Sequence, residues 1–384
     1  MEESRIITIY QLIASIHLGG AENVAFQLAE YCKVNPEFNF DFTVVELYKT
    51  RNKYAAEKKN NLADKNINIT TLFKGSKRLS LIFASLRLAQ ILWKSKPDIV
   101  HSHTDLPDLV LASALRILTF FKIRKPTIAR TIHNTQLWST HHILAKYTES
   151  AYHNDRIASV SQGAFRAHKE LRLKNKLSVS PYQEVIYNGC RVPKRLEHPF
   201  NIESSKINIA FCGRFEVYKG IDTLMWLIEK QNILHRDLFA YHIIGNGSYL
   251  DCILKLAEKN SNVHVYDSVP NISDKLYAFD FIFMPSHFEG LPLVSIESSF
   301  AKVPVIASFA PGLDETLPND WPLRFELENE EKLLKIFENI KNNYYDLEEL
   351  KSIAYEFVTN HFLQDKMIEE YSKLYLEMYN DRKQ

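Results

Sequence analysis

Residues 280 to 297 read Asp280-Phe-Ile-Phe-Met-Pro-Ser-His-Phe-Glu289-Gly290-Leu291-Pro292-Leu293-Val294-Ser-Ile-Glu297, and the chain continues through Val303-Pro304-Val-Ile-Ala to Gly312 and Glu315. An apolar run broken by Pro-Ser has the look of a buried strand, and from Pro292 onward the spacing becomes helical, with Glu297 about a turn and a half in. A carboxylate and a glycine thus fall in a strand-to-helix turn, where ligands collect at the carboxyl ends of parallel strands. The first amides of the helix have no partner inside it, so they suit a phosphate or sugar oxygen.

The same alternation extends in both directions. Short β-branched or aromatic runs predict strands near 6–13, 40–47, 67–72, 99–101, 127–132, 157–160 and 184–186, then near 207–211, 241–244, 263–266, 279–284 and 303–307, with helix-compatible stretches between them. This pattern gives βα units and an α/β fold of two Rossmann-like doubly wound domains. Pro193 and Pro199 interrupt the pattern around 190–205, which puts the domains at 1–192 and 193–361 with a closing helix over 362–384. Two such domains facing each other leave a crevice, so an active site is expected to draw on both.

At 384 residues, 46% hydrophobic and 24% charged, the chain has enough apolar material for two cores. Cys32, Cys190, Cys212 and Cys252 form no Cys-x-x-Cys pair, so neither a zinc site nor a disulfide framework is indicated. Met-Glu-Glu-Ser-Arg at the start lacks the head of a signal peptide, and no apolar run reaches the roughly 18–20 residues of a membrane span. A cytoplasmic protein is expected. Net charge is +1, yet residues 1–200 hold 29 Lys and Arg against 17 Asp and Glu, leaving 18 against 29 for the rest. A basic first half can meet an anionic surface. The stretches 77–94 and 115–125, which mix bases with aromatic and aliphatic residues, suit peripheral contact with the inner face of the cytoplasmic membrane. The plainer reading makes both sheet-covering helices with solvated basic ends.

Four constellations carry chemistry. His17-Leu-Gly19-Gly20-Ala-Glu22 follows the first strand and opens a helix, although a glycine pair there is most often just a tight turn. Gly213-Arg214-Phe-Glu-Val-Tyr-Lys219-Gly220 delivers a planar fork and a movable cation at a strand end, a pairing that can clamp a diphosphate. Gly245-Asn246-Gly247 lies at another such turn; Leu250 stands where a dinucleotide fingerprint needs its last glycine. The fourth is Glu289 with Glu297.

Together these motifs resemble the retaining glycosyltransferases of family 4. Gly213-Arg214-x4-Lys219-Gly220, Gly245-Asn-Gly247, Pro285-Ser-x2-Glu289-Gly290 with Glu297, and Gly312-x2-Glu315 match its C-terminal domain. Gly19-Gly20-Ala-Glu22, Asp98-Ile-Val-His101-Ser-His103, Thr131-Ile-His133-Asn134, Val160-Ser161 and Asn188-Gly189 match its N-terminal one, in the right order over nearly the whole chain. The resemblance implies a GT-B fold and transfer of a hexose-type sugar from a nucleotide diphosphate sugar, a UDP-sugar ahead of a GDP-sugar. The acceptor would be a polysaccharide, lipopolysaccharide or lipid-linked glycan, with no nucleic acid partner. It further implies that Arg214 and Lys219 neutralise the diphosphate and that Glu297 holds the ribose. Glu289 and the backbone from Gly290 through Leu291 and Leu293 to Val294 would face the sugar and phosphates, with Gly245 and Asn246 beside the donor. Gly19 and Gly20 would admit the diphosphate, and His133 would lie beside the transferred sugar, making His133, Glu289, Arg214 and Lys219 the catalytic set. His103, Asn134 and Asn188 fall on the acceptor side.

No Asp-x-Asp motif is present, so neither metal nor cofactor is expected. Two departures from the family pattern stand out: Cys190-Arg191 follow Asn188-Gly189 where an acidic or amide residue is usual, and Lys302 replaces a glycine two residues before Pro304. Two other readings remain, a GT-B sugar-nucleotide epimerase and a nucleotide-sugar-binding scaffold without chemistry. A histidine at a strand end, such as His101 or His103, is by itself more often structural than catalytic.

Overall fold

The computed structural model describes residues 5–17, 19–34, 39–73, 77–138, 141–235 and 237–382, with backbone only at 32–34 and 77–80. Leu18 and residues 1–4 therefore lie outside it, as do the side chains of Cys32, Lys77 and Arg78. The chain forms two compact units, residues 1–188 with 365–384, and residues 189–364.

The first unit contains strands β1 (Ile7–Ile13), β2 (Phe40–Tyr48), β3 (Asn68–Phe73), β4 (Ile99–His103), β5 (Thr127–Ile132), β6 (Arg156–Ser159) and β7 (Gln183–Val185). They form one sheet in the order β3-β2-β1-β4-β5-β6-β7, parallel throughout. Helices α1 (Gly20–Val34), α2 (Lys53–Asp64), α3 (Lys77–Ser95), α4 (Asp105–Phe120), α5 (His142–Glu149) and α6 (Gln162–Lys174) connect them. The strand order reverses between β1 and β4, where chain segments leave in opposite directions and open a notch at the carboxyl ends.

The second unit holds β8 (Ile207–Cys212), β9 (Phe239–Ile244), β10 (Val263–Tyr266), β11 (Phe281–Met284), β12 (Val305–Ser308) and β13 (Arg324–Phe325), in the parallel order β10-β9-β8-β11-β12-β13. Its helices are α7 (Ile221–His235), α8 (Leu250–Lys259), α9 (Leu293–Phe300), α10 (Glu330–Lys341) and α11 (Leu347–His361). The switch point here falls between β8 and β11. The alternation read from sequence is thus present as two parallel sheets with intervening helices.

Side-chain caps set several helix starts. Asn52 accepts from Ala55 N at 2.8 Å, Ser161 from Ala164 N at 3.0 Å, and Asp346 from Glu348 N and Glu349 N at 3.1 Å. Helix α9 has no side-chain cap, as is also true of α4, α5 and α8, and Pro292 precedes it.

The last helix, α12 (Gln364–Asp381), belongs largely to the first unit. Met367, Ile368, Tyr371, Leu374, Tyr375 and Met378 are buried in one cluster with Ile7, Ile9, Phe40 and Phe42. The Tyr375 ring meets Phe40 edge-on at 5.8 Å between centroids. A buried charge network braces the far end of β5: Arg130 reaches Asp108, Glu149 and Asp155, and Arg172 with His168 also meets Glu149. Arg130 holds Glu149 well below the usual carboxylate range although burial opposes this.

Helix α3 covers the sheet with Ala84, Leu88, Ala89 and Leu92. Its other side leaves Ile82, Phe83, Leu86 and Trp93 at least half exposed, and Phe120 and Phe121 at the end of α4 are exposed as well. Among the described residues no helix is long and apolar enough to cross a membrane.

Candidate functional site

In the second unit the site is built where three loops cross at the carboxyl ends of β8, β11 and β12. The β8 loop turns at Gly220, whose φ of +72° is left-handed, and a Cβ there would lie 1.9 Å from Pro285 O. His287 N donates to Tyr218 O at 2.9 Å, and the rings of Tyr218 and Phe288 stack 5.1 Å apart. Glu289 N in turn donates to Pro311 O at 2.9 Å, and Gly312, at φ +81°, leaves room for the carbonyls of Glu289 and Gly290. Only glycine tolerates these positions, so the crossing fixes Lys219 and Glu289 in one place.

There Lys219 Nζ donates to both carboxylate oxygens of Glu289, at 2.6 and 2.8 Å, and Ser286 Oγ donates to Glu289 Oε1 at 2.7 Å. Glu289 is buried, and Lys219 is partly open. Arg214 is exposed; its guanidinium lies 5.4 Å from the Tyr218 ring centroid, and Lys219 Nζ lies 5.7 Å from the same ring. One tyrosine therefore spaces two cations at the strand end. Leu291 leads into α9 and Leu293 and Val294 begin it, with its uncapped first amides adding positive dipole ends.

Gly245 and Asn246 form the neighbouring turn. Phe215 N donates to Asn246 O at 2.9 Å, and a Cβ on Gly245, at φ +144°, would lie 1.9 Å from Gly213 O. The Asn246 side chain sits near Asp267, at 3.5 Å.

Glu297 stands apart, on α9. Burial pushes its carboxyl up to about 7, with Asp274 adding to the rise and Arg191 opposing it. The two glutamates thus occupy different electrostatic surroundings. Arg191, at one departure from the family pattern, is paired with Asp274 at 2.5 Å. Lys302, the other, has φ +58° and closes α9, with Lys302 N bonded to Ser299 O and Val303 N to Ser298 O. That left-handed cap explains why glycine is usual there.

In the first unit the β1/β4 switch point gathers histidines. Gln11 pairs in register with His101. His103 Nε2 lies 2.6 Å from Gln11 Oε1, and its Nδ1 lies 3.0 Å from His133 Nε2. His101 Nδ1 lies 2.6 Å from Tyr375 Oη and its Nε2 2.7 Å from Thr131 Oγ1, which meets Tyr371 Oη at 2.9 Å. Burial lowers His101 and His133 to about 3 and drives His103 well below its ordinary value, so all three are neutral at pH 7.

Gly20 opens α1, and a Cβ there would meet nothing within 4 Å; at Gly19 it would meet the Glu22 carboxylate and, at 3.1 Å, His17 Nε2. Asn134 is exposed and accepts from Gln136 N at 3.3 Å, away from the histidine bonds. Asn188 is buried with no partner at Oδ1 among the described residues. Among the described residues no three His, Cys, Asp or Glu side chains are grouped as a metal would need. The residues that motif reading passed over are Gln11, Tyr371 and Tyr375, while Thr131 and Ser286 stood inside quoted motifs without a role of their own. Gln11 had a usable signal, a lone amide inside the apolar run Ile-Tyr-Gln-Leu-Ile. The tyrosines had none, because at helical spacing they read as core.

Residues 18–190 match the family described as Glycosyltransferase Family 4, and residues 206–340 match Glycosyl transferases group 1. An uncharacterized 41.2 kDa protein of the cps region of Klebsiella pneumoniae is 27% identical, over 79% of this chain and 86% of its own. The O-antigen biosynthesis glycosyltransferase WclY of Escherichia coli is 25% identical over 53% of this chain and 58% of its own. A glycosyltransferase from Rickettsia africae superposes with a TM-score of 0.74 at 19% identity, covering 97% of this chain and 98% of that one. Anabaena HepE, solved with UDP-glucose, gives 0.75 at 15%, covering 96% and 99%. With the sheets, switch points and glycine crossings in view, these matches resolve the fold as GT-B, and the chain belongs to the family 4, or group 1, glycosyltransferases.

Proposed function

We propose that the chain moves a hexose-type sugar from a nucleoside diphosphate sugar, a UDP-sugar ahead of a GDP-sugar, onto a glycan or lipid-linked glycan during polysaccharide or lipopolysaccharide synthesis. The observation that carries this reading is Lys219 held on Glu289 beside Arg214 and below the uncapped start of α9. Breaking a glycosyl–phosphate bond puts negative charge on the diphosphate, and fixed cations with amide dipoles stabilise it without reorganising. Glu289 keeps Lys219 in place and accepts from sugar hydroxyls, Glu297 accepts from the ribose, and His133 lies beside the sugar. Retention follows if the acceptor attacks on the leaving face while a leaving phosphate oxygen takes its proton, which leaves no protein carboxylate glycosylated and needs neither metal nor cofactor. The relatives support the setting: WclY is named for O-antigen biosynthesis, the Klebsiella protein lies in a cps region, and HepE was solved with UDP-glucose.

A thermal-shift screen of UDP-, GDP- and ADP-sugars tests the donor. A UDP-sugar should raise the melting temperature of wild type and shift Arg214→Ala and Glu289→Ala much less. No shift with any donor, or an equal shift in Arg214→Ala, contradicts the assignment, and an epimerised sugar formed from donor alone would replace transfer by isomerisation. The exposed Ile82, Phe83, Leu86 and Trp93 of α3 supply the cytoplasmic, membrane-peripheral part of the proposal. Wild type should float with anionic vesicles, and Phe83→Glu with Trp93→Glu should not; equal flotation removes that part.

A further inference from the structure

We infer that Tyr375 on α12 and Gln11 on β1 are positioning residues that set which ring nitrogen of His133 carries its proton. The path is continuous: Gln11 Nε2 donates to Tyr375 Oη at 2.9 Å, Gln11 Oε1 faces His103 Nε2 at 2.6 Å, and His103 Nδ1 faces His133 Nε2 at 3.0 Å. A primary amide has unlike ends, one that only accepts and one that only donates. With Nε2 anchored on the tyrosine, Oε1 must accept, so His103 carries its proton on Nε2. A neutral imidazole has one proton, so His103 Nδ1 is an acceptor and His133 must donate from Nε2. His133 Nδ1 is left bare, and it has no protein partner among the described residues.

The remaining bonds agree with this direction. Tyr375, accepting from Gln11, donates its own proton to His101 Nδ1 at 2.6 Å. His101 then donates from Nε2 to Thr131 Oγ1 at 2.7 Å, and Thr131 donates to Tyr371 Oη at 2.9 Å. Tyr371 and Tyr375 stand one turn apart on α12, so one helix supplies both the middle link of this relay and its last acceptor. Neutrality of the three histidines is what lets each link transmit its polarity, since an imidazolium donates from both sides. Resting on the proposed transfer, a bare Nδ1 accepts from a hydroxyl of the bound sugar, whereas the other tautomer would present a second donor to it. Neither Tyr375 nor Gln11 is hydrogen-bonded to His133, so both act through His103.

The test uses the full chain with 15N-labelled histidine, with His133 assigned by loss of its signals in His133→Gln. Wild type should show His133 protonated on Nε2 and bare on Nδ1. Tyr375→Phe removes the anchor for the amide and Gln11→Met removes the amide, and in either variant the His133 proton should divide between the two nitrogens. A purely packing role for these residues moves the melting temperature and leaves the tautomer alone. With whichever UDP-sugar is turned over, kcat should fall about tenfold, as for other residues that orient a working imidazole, while KM for the donor changes less than about twofold. Protonation of His133 on Nδ1 in wild type, or an unchanged tautomer in a folded variant, overturns the inference. The NMR result needs no donor, so failure of the transfer reading registers separately, as absent turnover beside an intact tautomer shift.

Discussion

At the β1/β4 switch point the polar groups are neutral and tied to one another, while at the β8/β11 switch point they are charged and tied to a crossing of glycines. Gln11, His103, His133 and Tyr375 interlock through single protons, and burial keeps the histidines uncharged through the physiological range. Lys219 and Glu289 form an ion pair, held by backbone that no other residue type could form at Gly220 and Gly312. Two similar sheets thus supply different services. One offers directional hydrogen bonds, and the other the fixed positive field that, in the proposed transfer, would meet a diphosphate leaving group.

The largest effect should come from removing that field. Lys219→Met is expected to lower kcat/KM by about 100- to 1000-fold in a transfer assay, the scale of losing one preorganised charge-stabilising group, while Gly20→Ala, which meets no protein atom, lowers it less. The next contrast concerns folding. Gly220→Ala forces a Cβ onto the Pro285 carbonyl and should cost about 3 kcal/mol in denaturant unfolding. Gly20→Ala sits in open space and should leave the midpoint unchanged or slightly raised, so any weakening of donor binding in it reports ligand contact alone.

A smaller effect concerns pH. In the unfolded chain Glu297 ionises near 4.5, whereas in the fold burial first, then Asp274, holds its proton to about 7. Between those values the unfolded chain binds fewer protons, so folding stability contributed by this group falls as pH rises through the window. Melting curves of Glu297→Gln should lack that slope, and a parallel slope in both proteins would show that the carboxyl titrates normally. The least effect is expected at Lys302, a left-handed residue at the end of α9. Lys302→Gly should raise stability by about 0.5–1 kcal/mol, since relief of the Cβ clash exceeds the added chain entropy.

Most of the sheet architecture is legible in the sequence because each strand is a compact β-branched or aromatic run. Thr127–Ile132 and Val263–Tyr266 coincide with their runs to the residue. Strand β13 escapes notice because Arg324 and Phe325 are only two residues, recruited by pairing with Ala307 and Ser308. The charged site is legible too, since glycine, lysine, arginine and glutamate at fixed offsets advertise loop crossings and anion chemistry. The neutral site is legible only at its histidines. Tyr371 and Tyr375 join it from α12, some 240 residues or more from Thr131 and His101 in sequence, and no local pattern can announce a partner brought by tertiary packing. Lys302 teaches a different lesson: its departure from glycine was visible, but its cost required φ.

The central claim is that Arg214 and Lys219 serve the diphosphate of the donor. Calorimetric titration of UDP and UMP measures this directly, because the two ligands differ by one phosphate. Wild type should bind UDP at least about tenfold more tightly than UMP, the scale of one or two charge-assisted hydrogen bonds, and Arg214→Ala and Lys219→Met should each narrow that ratio while leaving UMP affinity nearly unchanged. An undiminished UDP-to-UMP ratio in both variants would contradict the account.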